Sequence, residues 1–324
     1  MRKFLSIIIP RFKESEEEIF PLLSSIQGQL GIELSDIEVI ISNDGCERFV
    51  NQTFLDMFHM DIRQVDLEEN HGPGVARQAG LEEARGEYVM FCDADDTLHN
   101  VGVLGALIQE AEKNVPDILI TSWLEEIVDE RGYYRYITHE NDSTWMHGKL
   151  LRRNFLIENN ISFHNELRIH EDSYFLCIAS SFAKNIRYIP ITSYVWKYNP
   201  NSITRRNNSI YSYSSMPEFI KACSMAHLYI EKYIPHQMEY KILQFILYNY
   251  FYLHQYQWQS SEYIKYLKEA ESTFVKYIHP MWHYWRNASL QTITNIYNEE
   301  RIRSNYNFVE FETIWDWIER LGLQ

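Results

Sequence analysis

Only four cysteines occur in 324 residues, and no two of them stand as a Cys-x-x-Cys pair. Cys46, Cys92, Cys177 and Cys223 are too scattered for the framework of a small secreted scaffold, so a reducing cytoplasm is the expected setting. Long apolar runs are missing too. No stretch reaches the roughly 18 uninterrupted apolar residues of a membrane span, so any work at a membrane is expected to be peripheral, at its inner face. The opening Met1-Arg2-Lys3 with the apolar run behind it imitates a signal peptide, but Pro10, Arg11, Lys13 and the acids Glu16, Glu17 and Glu18 break the pattern. Basic residues are in deficit: 30 Lys and Arg stand against 45 Asp and Glu, a formal net charge of −15. Nonspecific nucleic-acid affinity comes from Lys and Arg displacing counterions, so a surface that attracts phosphate backbones everywhere is excluded, though a local basic stripe is not. Internal repeats and low-complexity linkers are also lacking.

What is present is 45% hydrophobic and 15% aromatic, over a length that suggests about two domains. The first third alternates short β-branched runs (residues 5–9, 37–42, 62–67 and 87–92) with helical patterns (16–30, 49–58 and 74–84), the signature of βαβ units. Strands at 5–9, 38–41 and 88–92 are nearly all apolar, as in an α/β sheet that is mainly parallel and carries helices on both faces. A helix near 103–113 and a strand near 117–122 continue the sheet, 133–138 reads as a strand, and 149–159 and 172–183 read as helices. Past residue 208 helical periodicity takes over, as in Tyr263, Leu267, Ala270, Phe274 and Ile278 behind a capping candidate at Ser260. This region holds Trp258, Trp282, Trp285, Trp315 and Trp317, and it offers a surface for oligomerisation.

In open α/β sheets ligands bind beyond the carboxyl ends of the strands. The residues there are Pro10-Arg11-Phe12, Asn43-Asp44-Gly45 and Asp93-Ala94-Asp95-Asp96. Three carboxylates at one strand end repel one another unless a cation lies between them. Oxygen ligands suit Mg²⁺ or Mn²⁺, ions that bridge to the phosphates of a bound substrate. In isolation the same residues also fit an Asp-rich turn. His147, His164 and His170 lack the helical His-x-x-x-His spacing of a zinc site.

The string Asn70-His71-Gly72-Pro73-Gly74-Val75-Ala76-Arg77-Gln78-Ala79-Gly80, leading through Gly86 and Glu87 into Asp93-Ala94-Asp95-Asp96, resembles the family-2 glycosyltransferases of GT-A fold. Farther on, Trp145-Met146-His147-Gly148-Lys149-Leu150-Leu151-Arg152-Arg153 and His170-Glu171-Asp172 look like the acceptor half of that family. The resemblance covers roughly residues 1–205, and the helical remainder matches nothing in it. It implies a catalytic domain over 1–207, with a nucleotide-sugar half at 1–100 and an acceptor half at 101–207, followed by an α-helical domain over 208–324.

The resemblance further implies that Pro10 and Phe12 line a base pocket, Asp44 accepts a hydrogen bond from the uracil imide, and Arg77 flanks the nucleotide. Asp95 would be the main metal ligand, with Asp93 reaching the metal or the ribose beside Ala94, and Asp96 would cap the following helix. Asp172 would be the base that activates the incoming hydroxyl, with Glu171 binding the acceptor or taking that role itself. Arg205 or Arg206, in an Asn-rich loop, would clamp the diphosphate. By residue type alone, Trp145 and Trp196 could stack on sugar faces or serve as core. Arg11, Cys46 and Gln78 depart from the family pattern.

The expected activity is inverting transfer of a hexose or N-acetylhexosamine from a UDP-sugar, with Mn²⁺ or Mg²⁺, to a hydroxyl of a bacterial surface glycan, teichoic acid or similar acceptor. Three alternatives stand beside it. One is transfer to hydroxymethylated bases of viral DNA, with Arg152, Arg153, Arg205, Arg206, Arg301 and Arg303 on phosphates. The others are a nucleotidyltransferase, which the absence of glycine from Pro10-Arg11-Phe12-Lys13-Glu14 disfavours, and a non-catalytic binding module.

Overall fold

The computed structural model describes residues 3–205, 210–255, 261–304 and 313–323. Its chain divides into two compact units, Met1–Asn201 and Ser202–Gln324.

The first unit is built on a mixed sheet. Strand β1 (Lys3–Arg11) is followed by helix α1 (Glu16–Gln27), whose start is fixed by a capping box between Ser15 and Glu18. Strand β2 (Ile37–Asp44) and the short helix α2 (Gln52–Leu55), which begins on the side chain of Asn51, lead to β3 (Asp61–Leu67). Helix α3 (Pro73–Glu83) opens on a proline, whose missing amide hydrogen costs nothing in a first turn, and β4 (Gly86–Phe91) follows. These strands pair in parallel in the order β3-β2-β1-β4. Leu5, Ile7, Ile8 and Ile9 of β1 are all fully buried, because each face of the sheet is covered.

Beyond β4 come β5 (Thr97–Leu98), α4 (Val103–Asn114), β6 (Ile118–Val128), β7 (Tyr134–His139) and β8 (Lys149–Arg152). Helices α5 (Arg153–Glu158) and α6 (Glu171–Phe182) and strand β9 (Ile186–Trp196) complete the unit. Here the expectation of a mainly parallel sheet gives way. β8 lies antiparallel between β4 and β6, and β7 is antiparallel to β6, while β6 and β9 are parallel. Residues 149–152, expected to open a helix, are therefore strand: the facing edges of β4 and β6 need backbone partners, and pairing outweighs a helical side-chain pattern.

On one face Ile7, Ile9, Val39, Ile41 and Met90 share a core with Leu22 and Ile26 of α1 and Leu104 and Leu107 of α4. On the other, α3 lies so close that a Cβ at Gly80 would meet Ile8 Cγ2 at 2.4 Å and Ser42 Oγ at 2.7 Å. Phe175 of α6 stacks on Phe163 at 4.2 Å, and both meet Phe91 edge-on.

In the second unit all regular structure among the described residues is helical: α7 (Ile210–Ser214), α8 (Met216–Tyr233), α9 (Met238–His254), α10 (Ser261–Ile278), α11 (Trp282–Asn287), α12 (Leu290–Ser304) and α13 (Ile314–Arg320). Ala270, Phe274 and Ile278 are fully buried, as their spacing predicts, with Trp317 in the same core and its indole N–H on Glu271 at 3.1 Å. Trp258 and Ser260 lie outside the described residues. No described helix is long and apolar enough to cross a membrane.

Candidate active site

The carboxyl ends of β1, β2 and β4 lie side by side because those strands pair in parallel, with Arg11 level with Asn43. Pro10 is half-buried and Phe12 is 41% exposed, with the Lys13 ammonium 4.7 Å from its ring centre. Arg11, a departure from the family pattern, acts as a pin between strands. It donates to Asn43 Oδ1 at 2.8 Å and the Glu47 carbonyl at 2.7 Å, and its guanidinium lies 3.9 Å above Phe49.

Asp44 is buried, and its carboxylate accepts from the His71 and Gly72 amides at 2.8 Å each and from Asn70 Nδ2 at 2.9 Å. It thereby fixes the turn that enters α3. A carboxylate has about four acceptor sites, so a base N–H arriving here would join or displace these three donors.

Arg77 is buried one helical turn into α3. One arm donates to Asp93 at 2.7 Å and the other to Glu171 at 2.6 Å, so a single guanidinium ties the end of β4 to the first turn of α6. Its Nε finds no acceptor among the described residues. Burial opposes ionisation of Asp93, but Arg77, aided by His147, wins and holds the carboxyl below its usual range. Glu171 is more deeply enclosed, and burial pushes it up to about 7 against the pull of Arg77. Asp172 is half-buried and raised by burial, with Arg77 and Lys149 opposing; its carboxylate accepts from the Ser173 amide at 2.7 Å. Both acids occupy the first turn of α6, where the helix dipole favours negative charge.

The acidic turn after β4 is arranged differently from the expectation. Asp96 does not cap a helix, because the chain makes a tight turn into β5 and the next helix begins only at Val103. It is fully buried instead, accepting from Tyr194 Oη at 2.6 Å and the Lys197 amide at 2.8 Å. Burial, followed by the charges of Asp93 and Asp95, raises it well above the usual carboxylate range. Ala94 is buried beneath the turn. Asp95 accepts from Asn199 Nδ2 at 2.8 Å and is raised by burial, with Asp93 adding to the effect. Glu14 stands close enough for its charge to act with that of Asp95, a neighbour the sequence did not suggest.

Among the described residues the compact set of metal-type donors is Asp93, Asp96 and His147, with one donor atom of each within 4.8 Å of the others. Asp95, expected as first ligand, is outside this set because the turn directs it toward Asn199. Two carboxylates and an imidazole fit Mn²⁺ better than the oxygen-preferring Mg²⁺. His147 is suited to ligation because burial lowers its pKa to about 4, which leaves the ring neutral. Sequence spacing could not find it, since His147 is brought to Asp93 only by β8. The signal was the neighbouring Gly148-Lys149. Gly148 has φ +64°, and a Cβ there would meet Thr121 Oγ1 at 2.6 Å; Lys149 is buried and donates to the carbonyls of Trp145 and His147. His164 and His170 are not part of the set. Arg205 falls in the second unit, its amide donating to the Ser202 carbonyl at 3.1 Å, and Arg206 lies outside the described residues.

Known proteins of similar sequence and fold are glycosyltransferases. EpsJ of Bacillus subtilis (strain 168), described as an uncharacterized glycosyltransferase, is 31% identical over 224 residues, 63% of this chain and 64% of EpsJ. TarS of Staphylococcus aureus (strain MW2), a poly(ribitol-phosphate) beta-N-acetylglucosaminyltransferase, is 27% identical over 210 residues, 60% of this chain and 35% of TarS. The chain spans 64% and 60% of the first curated relatives it matches, EpsJ and EpsH of B. subtilis. In fold it is similar to the crystal structure of S. aureus TarS 1–349 in complex with UDP-GlcNAc, with a TM-score of 0.65 at 20% identity over 94% of this chain and 93% of that one. The model of the family described as glycosyl transferase family 2 matches residues 6–170, just over half of the sequence, including the carboxyl ends of β1, β2 and β4. The chain belongs to glycosyl transferase family 2.

Proposed function

We propose that this protein is an inverting glycosyltransferase that moves a hexose or N-acetylhexosamine from a UDP-sugar to a hydroxyl of a bacterial surface glycan, at the cytoplasmic face of the membrane. Residues 1–207 would form the catalytic domain and 208–324 an α-helical one. The observation that carries the reading is the buried Arg77, which joins Asp93 at the acidic strand end to Glu171, the neighbour of Asp172. A donor-side and an acceptor-side carboxylate are thus held in one piece. The names of EpsJ and TarS support glycosyl transfer, and the UDP-GlcNAc bound in a TarS structure of similar fold supports a UDP-sugar donor.

In this reading Pro10 and Phe12 cover the base and Asp44 takes its imide N–H. A divalent ion held by Asp93 and Asp96 or Asp95, with His147, supplies Lewis-acid neutralisation of the leaving UDP. Asp172 accepts the proton of the acceptor hydroxyl while its oxygen forms the new bond to the anomeric carbon and the bond to UDP breaks on the opposite face. One displacement inverts the centre and needs only one base. The raised pKa of Asp172 makes it a stronger base than an exposed aspartate.

The test is release of UDP from a panel of UDP-, GDP- and dTDP-sugars without acceptor, with Mn²⁺ or with chelator. Hydrolysis of one UDP-sugar that chelator abolishes is the expected result, and Asp172→Asn should retain donor binding while losing at least about a hundredfold of transfer. Silence across the panel together with no diphosphate binding would overturn the reading. Full transfer by Asp172→Asn would remove the base assignment.

A further inference from the structure

Six rings of the first unit form one continuous array rather than dispersed core packing: Trp123, His139, Trp145, His147, Tyr194 and Trp196. Trp123 is level with His139 on β7 and with Tyr194 on β9, and Glu125 with Trp196, so these side chains leave the same face of the sheet. Trp123 lies flat on His139, centroids 3.9 Å apart, and His147 lies flat on Tyr194 at 4.8 Å. Trp145 is parallel to His147 at 6.0 Å and tilted against Trp196 at 5.3 Å. The inner end of the array is Tyr194, which touches both acids of the candidate metal set: it donates to Asp96 and accepts from the Asp93 amide.

The outer end is Trp145, 37% exposed. Its ring rests on Trp123, His147 and Trp196. Its amide donates to Asp142 at 3.3 Å and its carbonyl accepts from the buried Lys149. An indole seated on other rings yet 37% exposed is a preformed surface, and the exposure is offset where a ligand covers it. Four carboxylates border the array, Asp142 on the Trp123 N–H at 3.0 Å, Glu125 on His139 at 3.0 Å, and Asp93 and Asp96 within, against the buried Lys149 ammonium, which is engaged by the Trp145 and His147 carbonyls. Aromatic faces take the C–H face of a pyranose, and carboxylates accept its hydroxyls. A polyol phosphate has no such ring face and would bring its anion against these acids.

We propose that Trp145 and Trp196 form an acceptor subsite for a neutral, ring-form sugar, so that the acceptor is a pyranosidic glycan and not a polyol-phosphate chain. That this sugar is an acceptor rests on the glycosyl-transfer reading; that it binds does not.

The experiment is saturation-transfer NMR on the full chain, without donor or metal, using cellobiose, chitobiose and maltose as neutral pyranosides and ribitol 5-phosphate as the polyol phosphate. At least one disaccharide should bind through its C–H protons and ribitol 5-phosphate should not. Trp145→Ala should weaken that disaccharide by about tenfold and Trp145→Phe by about threefold or less, while Trp315→Ala, at an exposed indole of the second unit, changes nothing. Equal binding by Trp145→Ala and the parent chain, no binding of any disaccharide to the parent, or Trp145-dependent binding of ribitol 5-phosphate would each overturn the proposal. A melting curve establishes that Trp145→Ala is folded, and Trp145→Phe keeps the question open to decision if it is not. Because no donor is present, this result and the UDP-release result can fail separately.

Discussion

Arg77 is buried between two carboxylates, so its removal is felt twice. Arg77→Met should cost about 3–5 kcal/mol of stability in urea unfolding, because a charge left unpaired in a buried site is penalised far more than the intact pair gains. Arg77→Met combined with Glu171→Gln should recover part of that loss, and strict additivity of the two changes would show that the pair is not coupled. A second residue-scale effect concerns His227, whose ring is buried on α8 with Nδ1 2.7 Å from the Cys223 carbonyl. Burial lowers its pKa from the ordinary 6.5 to about 4. The unfolded chain therefore takes up this proton as pH falls through 6.5, while the fold resists until near 4. Stability from His227 is complete above 6.5 and drains away below it, by up to about 3 kcal/mol. His227→Gln should flatten the fall in urea midpoint between pH 7 and pH 5 relative to the parent chain; an unchanged slope would mean the ring is protonated in the fold.

At the scale of elements, the close contact of α3 with β1 and β2 depends on a missing side chain. Gly80→Ala would drive a methyl into Ile8 and Ser42, and overpacking of this kind should destabilise by about 1–3 kcal/mol, read as a lower urea midpoint. Gly74 plays the same part toward α6, since a Cβ there would lie 2.9 Å from Glu171. The Gly74 to Gly80 stretch was legible as a helix and through its resemblance to the family, but the close packing that its glycines allow was not. The strand ends themselves were legible because apolar runs give way to Ser42-Asn43-Asp44 and to Asp93. β8 was not. Its four residues carry no period of their own and become strand only because β4 and β6 need partners. Nor could local spacing expose the Arg77–Glu171 bridge, whose members are 94 residues apart, or the place of His147 beside Asp93. Asp96 was misjudged for want of the same information, since the turn that buries it is completed by Tyr194 on β9.

For the whole molecule, the family match ends at residue 170 while the first unit continues to Asn201. The last part of that unit supplies Asp172, Tyr194 and Asn199, so the site is finished by sequence beyond the matched segment. β8 adds a consequence in time. A ribosome delivers β4 first and β8 only after some further dozens of residues, several seconds later at ordinary rates of synthesis. Throughout that interval the apolar β4 presents an open hydrogen-bonding edge, the kind of edge that recruits other chains. The nascent protein is thus most exposed to mispairing, and most in need of a chaperone, in the interval before the segment that brings His147 to Asp93 has been made.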